Sequence, residues 1–209
     1  MKTFNLWHGT LVLTAAVLAG CAAVPTETRK PERAFYPPPP QPPRIQHLAT
    51  FSGERDFAPR AGGFAQFILG EDRTSQRLER PYGVAMFEGR LYVADSRAPG
   101  LAVFDLARKR FTLLTGSGQG RMKRPINVTI DVDGTKYVTD TGRDQILVYD
   151  RNDRFVAVFG AEGQFKPVDI AIAGERLYVA DIQHHEVHVL DKRSGKSLFK
   201  FGKAGSKPG

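Results

Sequence analysis

Tyr137-Val-Thr-Asp-Thr-Gly-Arg-Asp-Gln-Ile-Leu-Val-Tyr-Asp150 decides the reading of this chain. A short β-prone run ends in an acid, a polar turn follows, and a second run ends in another acid. The same sentence stands upstream as Leu91-Tyr-Val-Ala-Asp95 with Val103-Phe-Asp105, and downstream as Leu177-Tyr-Val-Ala-Asp181 with Val189-Leu-Asp191. Each copy opens on a proline (Pro81, Pro125 and Pro167) followed by an apolar run, and closes on a glycine (Gly116, Gly160 and Gly202). The unit recurs every roughly 41–46 residues, so internal repetition organises the chain from Arg80 onward.

Within a unit the apolar runs are four to six residues long, alternate, and are separated by Gly, Asp and Pro. In the first unit the strands are expected at Gly83–Phe87, Arg90–Ala94, Leu101–Asp105 and Arg110–Thr115. Glu88-Gly89, Asp133-Gly134 and Gly174-Glu175 supply the positive φ of tight hairpins. Four short strands per unit at this period describe the blades of a β-propeller. The predicted fold class is therefore all-β, with three full blades (81–124, 125–166 and 167–209) and a partial blade over 45–80. Ile45–Ser52 and Phe64–Gly70 read as strands of that partial blade. Closed propellers have about 4–8 blades. The ring is expected to be incomplete, as in a truncated member, with an open or oligomeric stack as the alternative. Open blade edges make self-association an expected behaviour. Alternation puts Tyr137 and Val138 on opposite blade faces, both packed. Truncating Val138 is expected to cost about 1–3 kcal/mol, whereas Lys136→Ala is expected to be near neutral, as for a solvated strand start.

The strand-turn-strand wording resembles the NHL repeat, most closely in the second blade. The third blade departs at Ile182 and the first at Ala98-Pro99-Gly100. The resemblance implies a propeller scaffold, which serves binding platforms and some enzymes alike.

The N-terminal part is of another kind. Lys2 precedes a short apolar run at Leu11–Ala19, and Leu18-Ala19-Gly20-Cys21 follows. The run is shorter than the ~20 residues that span a bilayer and fits a secretory signal over 1–20. The tetrapeptide resembles the bacterial lipobox, which implies lipidation of Cys21. No other cysteine is present, so no internal disulfide competes for this thiol. Ala22, rather than Asp, implies an outer-membrane lipoprotein of the cell envelope. Residues 21–44, with Pro37-Pro38-Pro39-Pro40-Gln41-Pro42-Pro43, read as an extended polyproline tether.

Candidate site residues are few. Asp95, Asp140 and Asp181 recur at every second strand end and read as structural acids that cap their turns. Asn127 and Asp169, two residues after their prolines and aligned with Gly83, lie where strand a begins at the channel mouth. They are the candidate residues for holding a ligand or an ion. His184-His185-Glu186-Val187-His188 has metal-ligating residue types, but spacing shows no further rigid ligand. His184 and His188 are therefore weak metal candidates, and no metal is assigned. The chain is basic, with 30 Lys and Arg against 22 Asp and Glu. Its third-to-fourth-strand turns carry Arg108-Lys109-Arg110, Arg151 with Arg154, and Lys192-Arg193 with Lys196. These can form a positive rim for anionic partners.

There is no Gly-x-Ser-x-Gly, no phosphate-cradling loop and no haem-attachment motif in the sequence. The reading is a lipid-anchored binding or scaffold module rather than an enzyme, without a cofactor. Its partners are the membrane and an envelope protein or anionic polysaccharide, with no nucleic acid. The alternatives are a lactonase-like or lyase-like enzyme with a divalent metal in the channel, or an accessory scaffold of an envelope redox complex.

Overall fold

The computed structural model describes residues 35–38, 40–57 and 76–205. The signal segment, Cys21 and Phe64–Gly70 lie outside them. The chain divides into two units, Met1–Thr50 and Phe51–Gly209.

In the first unit, β1 (Phe35–Tyr36) pairs antiparallel with β2 (Ile45–Gln46). The Arg44 amide donates to the Tyr36 carbonyl at 2.7 Å. A straight tether and a strand through Ser52 were expected, but the chain turns back on itself and the strand stops at Gln46. Prolines have no amide to give to a ladder, so only the residues flanking them pair.

The second unit holds three four-stranded antiparallel sheets, each wound in sequence order. The first is β3 (Pro81–Phe87), β4 (Arg90–Asp95), β5 (Leu101–Asp105) and β6 (Arg110–Leu114). The second is β7 (Pro125–Ile130), β8 (Lys136–Asp140), β9 (Gln145–Tyr149) and β10 (Phe155–Phe159). The third is β11 (Pro167–Ala173), β12 (Arg176–Asp181), β13 (Glu186–Asp191) and β14 (Ser197–Phe201). Register repeats with the sequence: Tyr92 faces Val103, Tyr137 faces Val148 and Tyr178 faces Val189. These are the blades of an incomplete β-propeller.

Side-chain alternation puts successive residues of a strand on opposite blade faces. Tyr92, Ala94, Leu101 and Val103 of blade one pack against Val128, Val138, Leu147 and Tyr149 of blade two. Tyr137, Ile146, Val148 and Phe159 of blade two pack against Ile170, Leu177, Val179 and Leu190 of blade three. The core therefore lies between blades rather than inside any one of them. On blade three the outer strand leaves Leu198, Phe199 and Phe201 about half exposed.

Blade one is covered on its other face by residues that are mostly not strand. Phe51 and Phe57 flank a single 3-10 turn at Glu54–Asp56 and, with Leu78, pack on Val93, Ala102 and Phe104. The Phe51 and Phe57 ring centroids lie 5.4 and 6.1 Å from that of Phe104. The segment is pinned by Leu78 and Glu54 amides donating to the Ser52 and Gln76 carbonyls, at 2.8 and 2.9 Å.

Polar groups also bridge the blades. Lys136, expected in solvent, is 0% exposed. Its Nζ lies 2.9 Å from Asp153 Oδ1 and donates to the Asp150 and Gly134 carbonyls at 2.8 and 3.1 Å. It also stands 5.1 Å from the centroid of the Tyr92 ring. Asp153 in turn accepts from Arg90 Nη1 at 2.9 Å and from the Tyr92 hydroxyl at 3.1 Å, both on blade one. A lysine occupies the slot that Leu91 and Leu177 fill elsewhere, because a carboxylate from its own blade's turn meets it there.

Burial, with a smaller push from the Asp131 carboxylate, raises the Tyr137 hydroxyl to about 12. Burial, with Asp140 next, raises that of Tyr149 to about 12. An acid whose folded value is raised stabilises the fold below its unfolded value, about 10, and loses that contribution as pH climbs through the folded value. Unfolding free energy is therefore expected to fall between about pH 10 and pH 12, by roughly 2–3 kcal/mol per tyrosine. Urea titrations across this range check it, and Tyr137→Phe should flatten the slope. An unchanged slope in that variant would place the loss elsewhere.

Candidate functional site

The three recurrent aspartates are placed by the ends of β4, β8 and β12. Asp95 accepts the amides of Glu79, Arg80 and Arg97 at 2.6, 3.1 and 2.9 Å. Asp140 accepts those of Lys123, Arg124 and Gly142 at 2.6, 2.9 and 2.9 Å. Each carboxylate thus ties the end of the second strand to the residues that lead into the first. The amides of Glu79, Arg80, Lys123 and Arg124 precede the prolines at the blade's start, where no ladder partner awaits them.

The same lead-in positions the channel mouth. In every blade the register slips between the proline and the residue two positions on: Pro81/Gly83, Pro125/Asn127 and Pro167/Asp169. A bulge leaves one residue unpaired and re-aims its neighbours. Asn127 and Asp169 are brought together, with Asn127 Nδ2 donating to Asp169 Oδ1. Both side chains also turn back on their own strands, accepting the Val128 and Ile170 amides at 2.8 Å each. Gly83 completes the set by having no side chain. A Cβ there would stand 2.6 Å from the Asn127 Cα and run into its Oδ1. The glycine that departs from its polar counterparts is thus where blades one and two approach.

Around this pair lies an open cleft of about 520 Å³ whose lining includes Tyr82, Arg124, Asn127, Lys166, Asp169 and Ile182. Arg124 and Lys166 were not singled out by sequence reasoning. Their position immediately before the blade prolines is the signal that could have found them. The cleft offers two cations, a carboxylate, an amide and an exposed aromatic ring.

Four of the eight cations named in the basic turns are paired where they stand. Arg108 pairs with Asp105 at 2.9 Å, Arg151 with Glu88, Lys192 with Asp131 at 3.0 Å, and Arg193 with Glu175 at 2.9 Å.

On blade three the turn acid has different company. Asp181 Oδ1 accepts the Lys166 and Gln183 amides at 2.9 and 2.8 Å. Its Oδ2 lies 2.7 Å from His184 Nδ1 and 3.1 Å from His188 Nε2. Burial pushes this carboxyl up, but the Lys166 amide, His184, the Gln183 amide and His188 outweigh it and hold it at about 2. The structure therefore brings His184 and His188 together on a third residue that spacing did not supply.

No known family and no curated protein matches this sequence. Solved structures do match its fold. A nidogen/laminin complex aligns at 18% identity and a TM-score of 0.51, over 62% of this chain and 52% of that one. A streptogramin B lyase aligns at 13% identity and a TM-score of 0.50, over 60% and 41%. An inactive virginiamycin B lyase from Staphylococcus aureus with quinupristin aligns at 14% and 0.50, over 61% and 42%. The chain spans about half or less of the length of these structures. At such identities the likeness establishes fold and nothing finer: the second unit has the fold of a β-propeller, left incomplete.

Proposed function

We propose that this chain is an exported, lipid-anchored propeller of the NHL kind whose channel-mouth cleft binds a polar ligand or partner at the cell envelope. One observation carries the reading. Bulges in successive blades aim Asn127 and Asp169 at one another beneath an open cleft of about 520 Å³ that Arg124 and Lys166 help to line. Concave sites with a few convergent polar groups are the ordinary form of binding sites. The anchor rests on Cys21, and the support for it is the sequence pattern alone.

A photoreactive residue at position 82, in the cleft, is expected to give a discrete adduct in cells, and Asp169→Ala should weaken it. The same group at position 132, where Val132 is 94% exposed in the hairpin after β7, should give none. In those cells the protein should sediment with membranes, and Cys21→Ser should release it. Equal adducts from both positions would sink the cleft, and membrane retention of the Cys21 variant would sink the anchor.

A further inference from the structure

We propose that Asp181, His184 and His188 form a binding site for a single divalent transition-metal ion of the zinc class. The three donor atoms, one carboxylate oxygen and two imidazole nitrogens, lie within 4.8 Å of one another. Zinc takes such donors at about 2.0–2.1 Å in tetrahedral array, which sets neighbouring donors roughly 3.3 Å apart. The two separations from Asp181 Oδ2, 2.7 and 3.1 Å, need only a small spread to admit the ion.

Comparison of the three blades shows what is special about the third. On Asp95 and Asp140 both carboxylate oxygens take backbone amides. On Asp181 the amides come to Oδ1, and Oδ2 is turned to the imidazoles. The positions of the two histidines are Ala98 and Ala102 in blade one, and Arg143 and Leu147 in blade two. Neither of those sets can ligate a metal. One turn of a repeated scaffold has thus been given both imidazoles at once.

The surroundings suit a bound cation. The Asp181 side chain is fully buried and that of His188 nearly so, while that of His184 is 42% exposed and leaves a path from solvent. The Phe165 ring, 5.2 Å from that of His188, walls one side. The backbone amides on Oδ1 fix the carboxylate from behind, as outer-shell partners of metal ligands do. Glu186 Oε2 stands 3.9 Å from His188 Nε2 and is held by Lys200 at 2.8 Å, within reach as a fourth donor. Three rigid donors with one open or loosely filled position is the arrangement of an accessible, rather than a closed structural, zinc site.

The test is titration of the full chain, without an affinity tag, with Zn²⁺ against a chromophoric chelator, and with Co²⁺ for its visible absorption. One equivalent is expected to bind, with a tetrahedral Co²⁺ spectrum. His184→Ala, at an exposed position that leaves the fold intact, should weaken binding by at least about tenfold, the least that loss of even an outer-shell partner costs. His188→Ala should do the same. His185→Asn, at the left-handed φ of 59° that asparagine tolerates, should leave binding unchanged. No stoichiometric binding, or binding indifferent to His184→Ala, overturns the site. Loss of binding in the His185 variant overturns the donor set.

Discussion

Asp153→Ala is expected to lower the unfolding free energy by about 3–5 kcal/mol, the cost of leaving a buried charge without its partner. The charge stranded is that of Lys136, which is shut away from water and whose Nζ lies 2.9 Å from Asp153 Oδ1. Two further contacts go with it, to Arg90 Nη1 and the Tyr92 hydroxyl of blade one, so the loss falls on the seam between blades. Lys136→Met should cost clearly less. It keeps the bulk of the chain in the slot, and Asp153 retains both blade-one donors. Urea unfolding of the two variants measures the order directly. If Asp153→Ala cost no more than Lys136→Met, the ion pair would not be the element that secures this seam.

Phe104→Ala is expected to cost about 3–5 kcal/mol, as for a large side chain removed from a packed site. Phe104 is fully buried, with Phe51, Phe57 and Phe111 around it at centroid distances of 5.4, 6.1 and 5.0 Å. The first two belong to the segment that covers blade one, so the substitution should also loosen that cover. Hydrogen exchange at the Glu54 and Leu78 amides, both bonded across the segment, should rise in step with the loss of stability. Destabilisation without that rise would mean the cover is held by its backbone bonds and not by the aromatic cluster.

The blades were legible because their signals are local. Alternating runs, a positive-φ hairpin and an acid at each second strand end fixed strand after strand, and the observed ends differ from the expected ones by a residue or two. Contacts that form only once the chain has folded were not legible. Lys136 looks like a solvated strand start, since the residue that neutralises it sits in a later turn and meets it only after folding. The 51–57 segment has no alternation to betray it, because its phenylalanines pack from a 3-10 turn and loop rather than from a ladder. At the mouth, position relative to proline picked out Asn127 and Asp169, and the bulge that turns them toward each other is a three-dimensional fact. On blade three, spacing offered two histidines and no third ligand. Asp181 reads as a turn acid, but a carboxylate has two oxygens, and the turn amides use only one of them there.

The aspartate at each second strand end has a consequence for how such a chain is inherited. It clasps the lead-in of its own blade, so Asp95 holds Glu79 and Arg80, and Asp140 holds Lys123 and Arg124. Every clasp closes inside one copy of the repeat when the copy is counted from the residues just ahead of its proline rather than from the proline itself. A copy can therefore be duplicated, deleted or exchanged as a cassette, cut just ahead of the lead-in, without opening a clasp on either side. Only the seams must be renegotiated, as where Asp153 of blade two meets Arg90 and Tyr92 of blade one. A chain built this way can gain or lose a blade without opening a clasp, and one copy can carry side chains of its own, as blade three does with His184 and His188.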